Sequence, residues 1–264
     1  MSSMSAAVSA PSASLAPNLL RCYAIEAKHE CLRLLRTPMF CVPTLVFPAM
    51  FYLLFGVLMN HGHNTGPFDP ATYMLAGYGV FGVMAPGLFG FGVSVATDRD
   101  RGWLQWRRAM PLPPGAYLFA KLAMAMLFAA IVFAILATIA VTAAGVHLPL
   151  SSWAQLFFVE VFGVLPFCAI GLFIGSAVSG QAAPAIANLV YLPLSFLSGL
   201  WLPLSVLPAF LREIAPLWPA YHLGQLAYAA VGQPNAGSPL SHIAALAVVT
   251  MLFLLPARHR LARG

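Results

Sequence analysis

Long uncharged apolar blocks dominate the chain. Asp, Glu, Lys and Arg are all absent between Lys121 and Glu160, and again between Glu160 and Arg212. Uncharged runs of about 18 or more mostly apolar residues are typical of helices that cross a bilayer. Breaks rich in Gly, Pro and polar residues separate six such blocks. The sequence therefore predicts six transmembrane helices, at 38–59, 71–96, 117–145, 153–178, 182–202 and 239–255.

Composition supports a membrane protein. Hydrophobic residues make up 61% of the chain and charged residues only 8%, whereas a soluble domain carries roughly 25% charged residues. We therefore expect an all-α integral membrane protein embedded in the lipid bilayer. Residues 1–18, rich in Ser, Ala and Pro, are predicted to form a disordered tail. Residues 19–37 mix apolar and basic positions, which favours an amphipathic interfacial helix at the cytoplasmic surface. The six-helix domain then covers 38–257, and a basic cytoplasmic tail covers 258–264.

The distribution of positive charge predicts the orientation of the chain. Lys and Arg concentrate in the cytoplasmic loops of membrane proteins. With six crossings and the amino terminus inside, Arg212 is the one outside residue among the 13 Lys and Arg. Both termini are therefore expected in the cytoplasm. The net charge of +6 is explained by this orientation, and no nucleic-acid partner is indicated, because the charges form no basic face with stacking aromatics.

A short charged segment follows the second predicted helix. Asp98 and Asp100 come early in it, and Trp106, Arg107 and Arg108 come late. Early acids and late bases suit the dipole of a short helix, and Arg and Trp are enriched at binding hot spots. On pattern alone, the segment fits a docking site for a cytosolic protein and an ordinary cytoplasmic loop equally well.

The same segment resembles the cytoplasmic loop of ABC-2 type transporter permeases, in which an acidic-basic cluster precedes Gly-x-Leu and a Pro. Further similar stretches are 196–203, 207–221 and, more loosely, 37–56. Trp103, Gln105 and the pair Arg107-Arg108 depart from the family pattern. The positions that carry the loop resemblance are Asp98, Arg99, Asp100, Arg101, Gly102, Leu104 and Pro111.

The resemblance implies an ABC-2 type exporter fold. It adds a coupling helix, formed by the charged segment with Trp106, Arg107 and Arg108, and an outer re-entrant region after the fifth crossing. It also implies a bacterial inner-membrane location, a second permease copy (identical or homologous) and cytosolic ABC ATPase subunits. The substrates of such exporters are drug-like, lipid-linked or glycan molecules. ATP and Mg would bind to the partner subunit.

The chain itself shows no sign of catalytic or metal chemistry. A phosphate-binding P-loop needs Gly directly before its Lys, but Lys28 and Lys121 both follow Ala. His61 and His63 lack a third ligand nearby in the sequence, so no metal site is predicted. We therefore expect no catalytic residue and no cofactor in this chain.

Glu160 and Asn188 are the candidate residues of a substrate path. Glu160 is the one acid inside a predicted helix, roughly mid-bilayer. Such acids usually face a cavity or a partner group, so Glu160 either lines a path or binds a proton, or it is a neutral acid bonded to a neighbouring helix. Asn188 is more typical of a polar contact between helices than of a ligand.

Two other classes of membrane protein fit the sequence less well than a permease. A proton- or ion-coupled secondary transporter would use Glu160 as its coupling site, but such folds usually show an internal repeat, whereas the two halves here differ in their loops. An intramembrane protease would need a membrane-embedded Ser with a His base or paired acids, and Ser198-Gly199 lacks such surroundings in the sequence. The permease of an ATP-driven exporter remains the favoured function.

Overall fold

The computed structural model describes residues 19–59, 69–109, 113 and 115–263. The described part of the chain is helical and contains no β-strand. The predicted tail 1–18, His61, His63 and Pro111 lie outside the described residues. The α-helices are α1 (Leu19–Leu35), α2 (Pro38–Phe51), α3 (Pro70–Ala85), α4 (Ser94–Asp100), α5 (Trp103–Ala109), α6 (Ala116–Thr142), α7 (Leu150–Ala177), α8 (Ala183–Leu197), α9 (Ala209–Ile214), α10 (Pro219–Ala230) and α11 (Pro239–Arg263).

Five of the described helical segments are long and apolar enough to cross a membrane. They are Pro38–Leu58, Pro70–Asp100, Ala116–Thr142, Leu150–Ala177 and Pro239–Leu261. The predicted fifth crossing, 182–202, contains a helix of only 15 residues, α8, which is shorter than a typical span. It ends there because Gly199, with a φ of +76°, turns the chain.

Two of the spanning segments contain π-helical turns. Tyr52–Leu58 continues α2 beyond Pro48, and Pro86–Val93 joins α3 to α4. Proline removes a backbone donor and its ring crowds the carbonyl four residues earlier, so the wider turns beside Pro86 relieve that clash. The second span is consequently one continuous rod of 31 residues.

The second span packs closely on α7 through glycines. A Cβ added to Gly92 would lie 2.6 Å from the Cα of Gly171, and one added to Gly171 would meet the carbonyl oxygen of Gly87. Gly175 likewise approaches the carbonyl oxygen of Gly92. These contacts bring two backbones together as small residues do in membrane helices, so this helix pair forms the centre of the bundle.

The helices have two distinguishable ends. At one end, called here the charged face, Glu30 of α1 bonds to Lys121 of α6, and Asp100 of α4 bonds to Gly180 between α7 and α8. The last turns of α11 reach the same face, where the Arg260 guanidinium lies 5.0 Å from the Phe173 ring. The predicted basic tail from 258 onward is therefore, as far as Arg263, a continuation of α11.

The other end, called here the opposite face, carries the irregular segment between α8 and α11. The hydroxyls of Tyr73 and Tyr228 both donate to the Gly199 carbonyl, at 3.2 and 3.1 Å, and their rings stack at 4.2 Å. The buried helix α10 lies against α3 and α7. This segment therefore fills the opposite face of the bundle between the long helices.

Candidate functional site

A buried lysine organises the charged face. The Lys121 side chain is 0% exposed, and its Nζ donates to Glu30 Oε1 at 2.8 Å and to Ser94 Oγ at 2.8 Å. It also lies 3.0 Å from Asp98 Oδ2. Because Glu30 belongs to α1 and Asp98 to α4, this one ammonium joins the first helix, the end of the second span and the start of α6.

Two further side chains complete this network. Arg33 bonds to Glu30 at 2.7 Å and to Asp98 at 3.4 Å, and the Tyr117 hydroxyl donates to Asp98 Oδ2 at 2.8 Å. Burial alone would lower the pKa of Arg33, but the carboxylates of Glu30 and Asp98 outweigh it and hold that pKa above its ordinary value. Two acids thus face two bases, and the cluster is neutral overall.

Arg99 and Asp100, which follow Asp98, connect the end of α4 to the end of α7. Arg99 donates to the carbonyls of Gly175 and Val178, at 3.1 and 2.7 Å. Gly175 lies in the last turn of α7 and Val178 directly follows it. Backbone acceptors at such a helix end otherwise lack intrahelical partners. Asp100 Oδ2 accepts the Gly180 backbone N–H at 2.6 Å. The end of the second span is therefore fixed on both sides, by the Lys121 network and by the α7–α8 turn.

A short helix projects from this fixed end. Gly102 adopts a φ of +72°, which favours glycine, and the chain turns there into α5. Leu104 is half-buried, whereas Trp103 and Trp106 are 56% and 75% exposed. Contiguous exposed apolar patches rimmed by polar residues mark sites of interaction with proteins or membranes. We call α5 and its two exposed tryptophans the tryptophan helix.

The structure divides what the sequence treated as one segment. Asp98, Arg99 and Asp100 form the last turn of α4, Arg101 and Gly102 form the turn, and Leu104, Trp106, Arg107 and Arg108 lie in α5. The dipole interpretation of Asp98 and Asp100 was therefore wrong, because both acids lie at the carboxyl end of one helix rather than at the start of the next. Their side chains are bound to other helices instead.

The network around Lys121 was not predicted from the sequence. The sequence does contain a sign of the network, because a lone lysine begins an otherwise uncharged helix. Such a lysine requires a carboxylate partner if the helix is buried. The partner, Glu30, lies 91 positions away in the amphipathic helix. No pattern along the chain connects two residues so far apart.

Glu160 lies away from the charged face. It is 1% exposed, sits in the half of α7 nearer the opposite face, and its Oε1 fills the space beside Gly79 where a Cβ would stand. Its Oε2 has no hydrogen-bond partner among the described atoms. A carboxylate without a cation is costly in such a place, so the neutral acid is the form that fits.

Replacing Glu160 with Gln is expected to cost less than about 1.5 kcal/mol of stability, as volume-conserving changes do. The amide has nearly the shape of the neutral acid, so the contact with Gly79 stays filled. Thermal unfolding in detergent measures the effect, with the exposed Glu213 changed to Gln as the matched control. A much larger loss would indicate an ionised Glu160 with a cationic partner.

Asn188 is exposed on α8, among the apolar residues Ile186, Leu189 and Leu192. Glu160 is instead buried, and no described hydrogen bond or ion pair joins the two. The structure therefore does not gather the two predicted path residues into one site.

Comparison with known proteins identifies the class. The family model of the ABC-2 type transporter matches residues 23–231, which is most of the chain, so the chain belongs to the ABC-2 transporter family of membrane permeases. Among curated proteins it is similar to the Bacillus subtilis (strain 168) protein named "Putative transport permease YvfS". The two are 28% identical over 231 residues, covering 87% of this chain and 93% of that one.

Proposed function

We propose that this chain is the transmembrane permease subunit of an ATP-driven exporter in the bacterial inner membrane, with the tryptophan helix as the docking site for a cytosolic ATPase subunit. The observation that carries the proposal is the pair of exposed tryptophans on a helix whose base is fixed to three others. A rigid base lets movement of α5 reach the membrane helices. ATP and Mg bind to the partner, and the cargo is a drug-like, lipid-linked or glycan molecule.

The proposed topology has six crossings, with α8 and the turn after it as the fifth. Gly180 approaches Thr97, and Gly77 approaches the carbonyl of Leu200. Both stretches, 77–97 and 180–200, therefore run side by side for about 20 residues, or about 30 Å at the rise of a helix, close to the hydrocarbon thickness. With the charged face on the cytoplasmic side, both ends of the chain are cytoplasmic, as the excess of Lys and Arg there favours.

A second permease copy is proposed to cover the exposed side of α8. Asn188 offers an amide on a surface that is otherwise apolar. An amide in contact with lipid tails leaves its hydrogen bonds unmade, whereas one between helices finds partners. The proposed assembly contains two permeases and two ATPase subunits.

Changing Trp103 and Trp106 together to Ala is expected to weaken ATPase binding at least about 30-fold, because a buried hot-spot aromatic contributes about 2 kcal/mol or more. Both side chains are exposed in the free subunit, so the fold should remain intact. The measurement is recovery of the ATPase subunit with tagged permease after extraction from native membranes with detergent.

The matched control changes Phe210 and Leu217 to Ala, because both are large apolar residues of comparable exposure and lie on the opposite face. The control should recover the ATPase subunit as the unchanged protein does. Equal recovery with the tryptophan variant, or labelling of Trp106→Cys from outside intact cells, would contradict the docking site.

A further inference from the structure

Two histidines meet at the opposite face, where α10 and α11 begin. His222 lies in the first turn of α10 and His242 in the first turn of α11. Their Nδ1 atoms are 2.8 Å apart, which is a hydrogen-bond distance, and their ring centroids are 5.1 Å apart. His242 is 6% exposed and His222 is half-buried. The contact joins the buried helix of the opposite face to the last spanning helix.

The other nitrogen of each ring has its role fixed by a backbone carbonyl. His222 Nε2 lies 2.9 Å from the Pro216 carbonyl oxygen, and His242 Nε2 lies 2.5 Å from that of Ala236. A carbonyl oxygen can only accept, so both Nε2 atoms must carry hydrogen. Ala236 is itself held in place, because its N–H donates to Gln225 Oε1 at 2.6 Å.

With both Nε2 atoms protonated, the protons on the two facing Nδ1 atoms remain to be assigned. A neutral imidazole has one N–H, which each ring already uses at Nε2. Two neutral rings would therefore point bare lone pairs at each other across 2.8 Å, which is repulsive. Two doubly protonated rings would point two N–H groups and two positive charges at each other. One proton between the Nδ1 atoms gives a charge-assisted hydrogen bond instead.

We propose that His222 and His242 form a site for one shared proton, which fastens α10 to α11 at the opposite face. His242 donates from Nδ1 and His222 accepts. This proposed proton site is independent of the proposed ATPase docking site.

The surroundings support this distribution of the proton. Burial lowers the pKa of His222, and the neighbouring His242 lowers it further, whereas the bond to the Pro216 carbonyl raises it; the net direction is down. A neutral His222 is the ring that can accept. Among the described side chains, neither imidazole forms an ion pair, so no carboxylate competes for the bridging proton.

Other titratable groups lie on the elements around the pair. The Tyr221 ring is 5.3 Å from His222 and 6.0 Å from His242, and is the phenol in ring contact with both. Further groups on packed elements include Tyr228 on α10, Tyr73 and Tyr78 on α3, Glu160 and Cys168 on α7, Tyr191 on α8, and the exposed Arg212 and Glu213 on α9. Arg258, His259 and Arg260 lie at the other end of α11. Two of these phenols, Tyr73 and Tyr228, bond to the Gly199 carbonyl.

The test is nuclear magnetic resonance of the full-length protein in detergent, with ¹⁵N-labelled histidine. Single His→Gln variants assign the signals of His222, His242 and the exposed control His147. The spectra are recorded at pH 5, below the ordinary histidine pKa of about 6.5, where an unpaired imidazole carries two N–H groups. The pair should hold three N–H groups in total rather than four, and the two Nδ1 nuclei should show scalar coupling across the hydrogen bond.

A second measurement uses stability. His222→Gln and His242→Gln should not be additive in melting temperature at pH 6, because either change removes the same bond, and the His147→Gln control should be additive with both. Four N–H groups on the pair at pH 5, absence of coupling between the Nδ1 nuclei, or additive effects of the two variants would each overturn the proposal.

Discussion

Replacing Lys121 with Met is expected to lower the free energy of unfolding by about 3–5 kcal/mol, since removing one partner of a buried ion pair leaves its counter-ions uncompensated. The Met side chain fills the space of the lysine stem, so packing changes little. The carboxylates of Glu30 and Asp98 lose the ammonium that they share at 2.8 and 3.0 Å. Thermal unfolding of the purified protein in detergent should show this loss.

Two controls separate charge from packing. Arg33→Ala removes a cation from the same cluster, but its side chain is 41% exposed, so its loss should cost less than about 1 kcal/mol. Adding Glu30→Gln and Asp98→Asn to Lys121→Met should restore most of the stability, because the uncompensated charges are then gone. A Lys121→Met protein as stable as the original would show that the network does not hold the charged face together.

The second large effect is expected at the glycine contact between the second span and α7. Gly171→Ala should cost about 3 kcal/mol or more, at the upper end of what overpacking costs. The new Cβ would meet the carbonyl oxygen of Gly87, and neither backbone can move without separating the helices. Ala favours a helix over Gly, so any loss must come from the tertiary contact. Melting temperature in detergent measures it.

The matched control is Ala154→Val, which adds bulk to an exposed position of the same helix. It should leave the melting temperature nearly unchanged. If Gly171→Ala were equally harmless, the two helices would have room to separate by a few tenths of an ångström, and the glycines would not set their distance.

The spanning segments were predictable because membrane crossing is encoded locally. The uncharged runs identified five spans that the structure contains, since apolar composition over about 20 residues is itself the physical requirement. The predicted ends of the second and last spans, at 96 and 255, were less accurate. Both helices continue into charged sequence, as far as Asp100 and Arg263. At Asp98 and Arg99, hydrogen bonds and ion pairs to other helices stabilise this continuation. Those contacts cannot be predicted from the hydropathy of the local sequence.

The sequence identified the charged segment as a candidate docking site but did not predict how its residues divide between α4 and α5. Trp106 and Arg99 were selected together as one docking surface, yet Arg99 binds the end of α7 while Trp106 projects outward. A residue's type gives its possible partners, and only the fold determines which one is within reach. Arg99 therefore stabilises the contact between the end of α4 and the end of α7.

The amino-acid sequence by itself determined that this protein lies in a membrane and which five described segments are long and apolar enough to cross it, because both depend on composition within a single helix. Only the tertiary structure decided that Lys121 meets Glu30 and Asp98, that glycines set the distance between α7 and the second span, and that His222 meets His242. Those contacts join residues 20 to 91 positions apart, and their energies arise when helices pack together and exclude water and lipid.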